Sequence, residues 1–170
     1  IDSIGITNQR ETFVIFDAKS GKPLHNAIVW QCRRGQKICD EINKSKKTVN
    51  FIKSKTGLTL DTYFPASKLL HLLKVNRSIR NKLKNGTALF GTIDTYLIYR
   101  LTNQKSYSTD YTNASRTLFF NIKSLRWSKQ LQKIFKLSLK KLPEVKESTS
   151  IFGYNDITVS YTNIRAHETD

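Results

Sequence analysis

Thr12-Phe13-Val14-Ile15-Phe16, running into Asp17-Ala18-Lys19-Ser20-Gly21-Lys22-Pro23, decides the class of the fold. Five β-branched or aromatic residues in succession predict a strand. The next seven carry an Asp, a Gly and a Pro, which is turn chemistry. On the N-terminal side, Ile4 and Ile6 alternate with small or polar neighbours and predict a short strand. On the C-terminal side, Ala27-Ile28-Val29-Trp30 predicts a third. Strand, turn and strand at this spacing predict a small antiparallel meander.

Helical periodicity follows. Arg33 to Asn43 is polar, with Ile38 and Ile42 four apart. Leu69, Leu72 and Leu73 share a face with Leu70 beside them, and Pro65 suits the first turn of that helix. A further short helix runs through Lys82 and stops at Gly86. Ala88-Leu89-Phe90-Gly91-Thr92 reads as a buried strand, and Thr92 can cap a helix that turns Ile93, Leu97, Ile98 and Leu101 inward. Leu118 to Ile122 reads as a strand. Ser128 can cap a helix with Leu131, Ile134 and Phe135 inward, a region ended by Pro143. Strands first, then alternating helices and strands, predict one α/β domain.

Composition narrows the classes. The chain has 170 residues, of which 38% are hydrophobic, so it can form a core and is not a disordered basic tail. No apolar run approaches the length of a membrane helix, and no signal-peptide pattern opens the chain. Two cysteines exclude a disulfide scaffold. There is no Met, and Ile1 to Ile6 reads like the middle of a sheet, so the chain is expected to be a piece of a longer protein. The net charge is +16, from 29 Lys and Arg against 13 Asp and Glu. These cations are scattered, and Lys, Asn, Ile and Ser are abundant together, as A/T-rich codons would produce. A specific nucleic-acid partner is therefore not expected. Salt-sensitive attraction to polyanions is.

Generic site motifs are absent. There is no glycine-rich phosphate loop. Cys32 and Cys39, seven apart on one expected helix face, lack zinc-site spacing, and His25, His71 and His167 are scattered. Both cysteines read as reduced thiols, and no metal ligands are assigned. Ser115 lacks a nucleophile-elbow context. The distinctive cluster is Asn8-Gln9-Arg10-Glu11-Thr12. Arg10 and Glu11 can be a surface ion pair, or can serve neighbouring hydroxyls, because Arg only donates and a carboxylate only accepts. Trp30 can be a core residue or a wall against the C–H face of a polyol. Tyr63 can be a loop residue with a buried ring, or a hydroxyl ligand.

Longer blocks carry a resemblance. Gly5 to Thr12, Asn26 to Gln31 with Arg33-Arg34, Lys55-Thr56-Gly57-Leu58 with Tyr63-Phe64, Leu89 to Thr95, Asp110 to Thr117 with Phe120-Asn121-Ile122, and Leu142 to Val145 occur in an order that closely resembles the glycerol kinases within the FGGY carbohydrate kinase family. The match is collinear over residues 1–153, expected to form part of an N-terminal carbohydrate kinase domain. It fades over 154–170, read as a divergent tail. The resemblance implies an α/β, ribonuclease-H-like lobe as in actin, incomplete here. It implies a cytoplasmic kinase, a transferase moving the γ-phosphoryl of ATP to glycerol with Mg²⁺ to give glycerol 3-phosphate. It places Arg10, Glu11 and Tyr63 as ligands of glycerol hydroxyls and Trp30 as the aromatic wall. The family's phosphate hairpin, Asp-x-Gly-Thr-Thr, would precede Ile1. Its catalytic Asp, in Gly-Asp-Gln, would follow Gly153, and neither Asp156 nor Asp170 has that context. So no catalytic residue, and no ATP or Mg²⁺ site, is assigned within the chain. The isolated chain is expected to be inactive, needing the second lobe of the same protein, which at full length would form a homo-oligomer. The competing readings are a catalytically dead remnant lobe that only binds a polyol, and a basic polyanion-binding module.

Overall fold

A computed structural model of the chain describes residues 3–155. Its centre is β1 (Phe13–Asp17) paired antiparallel with β2 (Ala88–Thr92), in a register running from Phe13 opposite Thr92 to Asp17 opposite Ala88. Between them lie four helices: α1 (Gln36–Asn43), α2 (Lys46–Thr56), α3 (Pro65–Val75) and α4 (Arg77–Asn85). After β2 come α5 (Ile93–Leu101), β3 (Ser108–Asp110), the one-turn α6 (Tyr111–Ala114), a 3-10 turn (Ser115–Thr117), β4 (Phe120–Asn121), β5 (Arg126–Trp127), α7 (Lys129–Ile134) and β6 (Glu144–Lys146). β3 pairs parallel with β6, and β4 pairs antiparallel with β5. The α/β class read from the sequence is the class observed.

Both faces of the central pair are covered, which explains why β1 shows no polar alternation. Phe13, Ile15, Ala88 and Phe90 join the main core with Leu69, Leu72 and Leu73 of α3, Ile79 and Leu83 of α4, and Leu118, Phe119, Leu131 and Phe135. Val14, Phe16 and Leu89 face the other way, onto Tyr99 of α5. Ser128 caps α7 as expected, accepting from the backbone N–H three residues on, and Ser45 and Asn76 do the same for α2 and α4. Gly86 closes α4 at φ 83°, a left-handed conformation that glycine adopts without a Cβ penalty.

Several expectations are corrected. Residues 4–6 form no strand, and Ile4 is 60% exposed, because no described strand offers them a ladder. The meander is reduced to two bridges, Phe16 with Pro23 and Phe13 with Ile28, and Val29 and Trp30 leave the ladder. Leu118 sits at φ 69°, so only Phe120–Asn121 is strand. On α5 the buried face is Asp94, Thr95, Ile98 and Tyr99, whereas Leu97 is 36% exposed, and the Thr92 side chain makes no capping bond. α1 begins at Gln36, so Cys32 lies outside it and the two cysteines share no helix face. Both thiols are free. Of the tail read over 154–170, residues 156–170 lie outside the described residues.

Candidate functional site

Glu11 comes inward from a turn. Thr12 N donates to Gln9 O at 3.2 Å and Thr12 Oγ1 to Gln9 Oε1 at 3.0 Å, which puts Arg10 and Glu11 at the bend just before β1. The chain then enters a buried strand, so Glu11 is 4% exposed while Arg10 points to solvent. Among the described residues Arg10 makes no hydrogen bond or ion pair.

A buried carboxylate needs a charged partner. Arg116 supplies it, donating Nε–H to Glu11 Oε1 at 2.7 Å. The same guanidinium stacks 4.9 Å from the Phe64 ring centroid and 6.0 Å from that of Tyr63. Three residues earlier on each segment, Asn8 Nδ2 donates to Asn113 Oδ1 at 3.0 Å. The two blocks quoted above, Gly5–Thr12 and Asp110–Thr117, are thus laced together in step.

Trp30 and Tyr63 meet across two loops. Their ring centroids are 5.2 Å apart at 55°, with Trp30 half-buried and Tyr63 36% exposed. Asp61 shapes the Tyr63 loop by accepting from Tyr63 N at 2.6 Å. Beneath both loops lies Lys68 of α3, with no exposed surface. Its Nζ donates to Tyr63 O at 2.9 Å, Val29 O at 3.1 Å and Trp30 O at 3.2 Å. This explains why the expected strand stops at Ile28: the next two carbonyls point at an ammonium instead of a ladder. Burial pushes the Lys68 ammonium down to about 8, against the attraction of Cys32, Glu11 and Asp61. Cys32 Sγ accepts from Arg34 Nε at 2.9 Å. Burial raises this thiol, but the hydrogen bonds and charge of Arg34 outweigh it and the net shift is downward.

The structure therefore brings Glu11, Trp30 and Tyr63 together and leaves Arg10 exposed beside Glu11. Sequence reasoning missed Arg116 and Lys68 as members of the group. Lys68 had a signal, being a cation directly beside Leu69, Leu70, Leu72 and Leu73 on a buried helix. Arg116 had none beyond its place in a quoted block. Among the described residues no cluster of three or more His, Cys, Asp or Glu could hold a metal ion. In this group Glu11 Oε1 already accepts from Arg116, so the group does not offer the set of free oxygens that the Mg²⁺ implied by the resemblance would need. What the group can do is recognise: an acceptor, fixed and free guanidinium donors, a phenol and a flat aromatic face.

Comparisons with known proteins agree on one family. The model for the FGGY family of carbohydrate kinases, N-terminal domain, matches residues 1–163. A glycerol kinase of Thermococcus onnurineus is 56% identical over 154 residues, 91% of this chain and 30% of that relative. One from Borrelia garinii subsp. bavariensis is 51% identical over 159 residues, 94% of this chain and 32% of that relative. The crystal structure of Plasmodium falciparum glycerol kinase with ADP superposes with a TM-score of 0.87 at 46% identity, covering 91% of this chain and 30% of that one. A gluconate kinase from Lactobacillus acidophilus superposes at 0.79 with 24% identity over 92% of this chain and 30% of its own, which speaks to the fold alone. The chain spans about a third of the length of the curated relatives it matches. The fold is the ribonuclease-H-like, actin-like architecture of these kinases, represented in part. The chain belongs to the FGGY family of carbohydrate kinases, matching its N-terminal domain over residues 1–163.

Proposed function

We propose that this chain supplies the polyol-binding part of a glycerol kinase, which transfers the γ-phosphoryl of ATP to glycerol and forms glycerol 3-phosphate. The observation that carries this reading is the Glu11 carboxylate, sealed on one side by Arg116, whose guanidinium also lies over Tyr63 of the Trp30–Tyr63 ring pair. Glu11 Oε2 has no hydrogen-bond partner among the described residues and would accept from one glycerol hydroxyl. Arg10 would donate to the same or a neighbouring hydroxyl, the Tyr63 hydroxyl would serve another, and Trp30 would pack on the carbon chain. A carboxylate and a guanidinium side by side match vicinal hydroxyls better than they match an anion, which Glu11 would repel. Matches to named glycerol kinases at 46% to 56% identity favour glycerol among polyols.

Binding and positioning of ATP and Mg²⁺, and acceptance of the hydroxyl proton, are assigned to parts outside this chain: a second lobe and the segments flanking the match. The same reading takes 1–153 as the kinase portion and 154–170 as divergent. It places the protein in the cytoplasm, where its two free thiols would stay reduced, and makes it homo-oligomeric at full length. The test is glycerol binding and turnover by the protein at its native length, beside the Glu11→Gln variant. Glutamine keeps an acceptor for Arg116 but weakens the acceptor offered to the ligand. Losing a charge-assisted hydrogen bond should weaken glycerol binding roughly 10-fold to 100-fold. Binding without product marks a remnant lobe, and no glycerol binding at all overturns the reading. The 170-residue chain by itself is expected to yield no glycerol 3-phosphate.

A further inference from the structure

We propose that Lys68 is a positioning residue of the polyol site, fixing Trp30 against Tyr63 by holding the backbone of both loops from below. The inference rests on the polyol reading above. An ammonium has three N–H donors and no acceptor. Here it meets three carbonyls, two from the Trp30 loop and one from the Tyr63 loop, all within 3.2 Å. Among the described residues these loops are joined by no strand ladder, and their rings meet tilted at 55° with centroids 5.2 Å apart. Neutral side chains could satisfy one or two of the carbonyls; a compact ammonium, with three N–H donors on one tetrahedral nitrogen, reaches all three. A guanidinium, planar and larger, would not reproduce that geometry.

Lys68 does not touch a ligand. Its donors are all engaged and it has no exposed surface. It acts through the two rings, and it places a positive charge behind the site without offering it to an anion. The groups facing it are Cys32, Glu11 and Asp61, which favour its charge, and Arg34, which opposes it. A structural lysine elsewhere in the core would affect stability alone. This one connects to ring geometry, so its loss should appear in polyol affinity before it appears in nucleotide affinity or in the rate of the bound complex.

The experiment uses the protein at its native length and steady-state kinetics with glycerol and ATP. Lys68→Met should raise KM for glycerol about tenfold, the worth of roughly one lost charged hydrogen bond, while KM for ATP and kcat change less than about threefold. Equal loss in all three parameters, or an unchanged KM for glycerol, overturns the proposal. Should Lys68→Met fail to fold, the wild-type pH series decides. As the ammonium deprotonates at about 8, one carbonyl loses its donor, so KM for glycerol should climb through that pH while KM for ATP stays flat. Cys32→Ser should leave the climb in place; its disappearance in that variant assigns the titration to the thiol and overturns the proposal. Glu11→Gln separates the two ideas. If it too leaves KM for glycerol unchanged, the polyol reading falls and the proposal with it. If Glu11→Gln raises KM and Lys68→Met does not, only the role of Lys68 falls.

Discussion

Glu11 and Arg116 show how a single residue can be costly to lose for reasons unrelated to the ligand. The carboxylate is 4% exposed, and its only charged partner within 4 Å among the described residues is Arg116, at 2.7 Å. Replacing Arg116 by Met keeps a long apolar stem against Phe64 but leaves the buried charge alone. Breaking a buried pair typically costs about 3–5 kcal/mol; the side chain of Arg116 is 28% exposed, so water replaces part of it and about 2 kcal/mol is expected. Urea unfolding measures this. The double variant Glu11→Gln with Arg116→Met should recover much of the loss, since no uncompensated charge remains. A double variant no more stable than Arg116→Met alone would show that the guanidinium acts through Phe64 packing instead.

At the scale of elements, Asp110 ties three together. It ends β3, caps α6 by accepting from Asn113 N at 2.8 Å, and accepts from Ser148 beyond β6. Burial raises its carboxyl, but the hydrogen bonds from Ser148, Asn113 and Thr112 outweigh this, and its pKa falls below 3.8. A depressed carboxylate contributes stability that is present above its unfolded pKa and lost as pH falls through the folded value. Asp110→Asn, which keeps a capping oxygen, should therefore cost about 1 kcal/mol near neutral pH. That gap should close as the pH drops below about 4, measured by urea midpoints across the range. Burial raises the pKa of Asp94 and the Asp110 charge raises it further, so the same pH series in an Asp94→Asn background isolates the contribution of Asp110. A gap independent of pH would show that the carboxylate charge contributes nothing. Elements of this kind were unequally legible in the sequence. α3, α4, β1 and β2 were readable because their own residues decide them, through an apolar face, a Gly86 stop or a β-branched run. The strand expected at Ile4–Ile6, the one at Ala27–Trp30 and the face of α5 failed for a shared reason: a strand or a buried polar residue exists through partners distant in sequence. Ile28 pairs with Phe13, but the next two carbonyls go to Lys68, and Asp94 is drawn inward by Thr109 Oγ1 at 2.6 Å. The site followed the same rule. Glu11, Trp30 and Tyr63 were named from chemistry and resemblance, whereas the residues that hold them, Arg116 and Lys68, are visible only once the chain is folded.

For the whole molecule, the charge of +16 and the polyol site make opposite demands that one pair of measurements resolves. The basic side chains are dispersed over α2, α4 and α7 and the segments around them, as with Lys53 and Lys55, Lys82 and Lys84, and Lys133. Such a surface attracts polyanions by counterion release, which is steep in salt and indifferent to sequence. Glycerol is neutral, and its contacts with Glu11, Arg10, Trp30 and Tyr63 would be short-range hydrogen bonds and packing. Over roughly 50 to 200 mM salt, duplex DNA affinity should fall by about a thousandfold if six or more phosphates are contacted, equally for unrelated sequences. Glycerol affinity of the native-length protein should stay within about twofold over the same range, because screening acts on separated charges and not on neutral ligands at contact distance. DNA binding that survives the higher salt with a sequence preference, in a protein whose glycerol binding is undetectable, would instead make the dispersed cations the functional surface and reduce the Glu11–Arg116 pair to a structural tie.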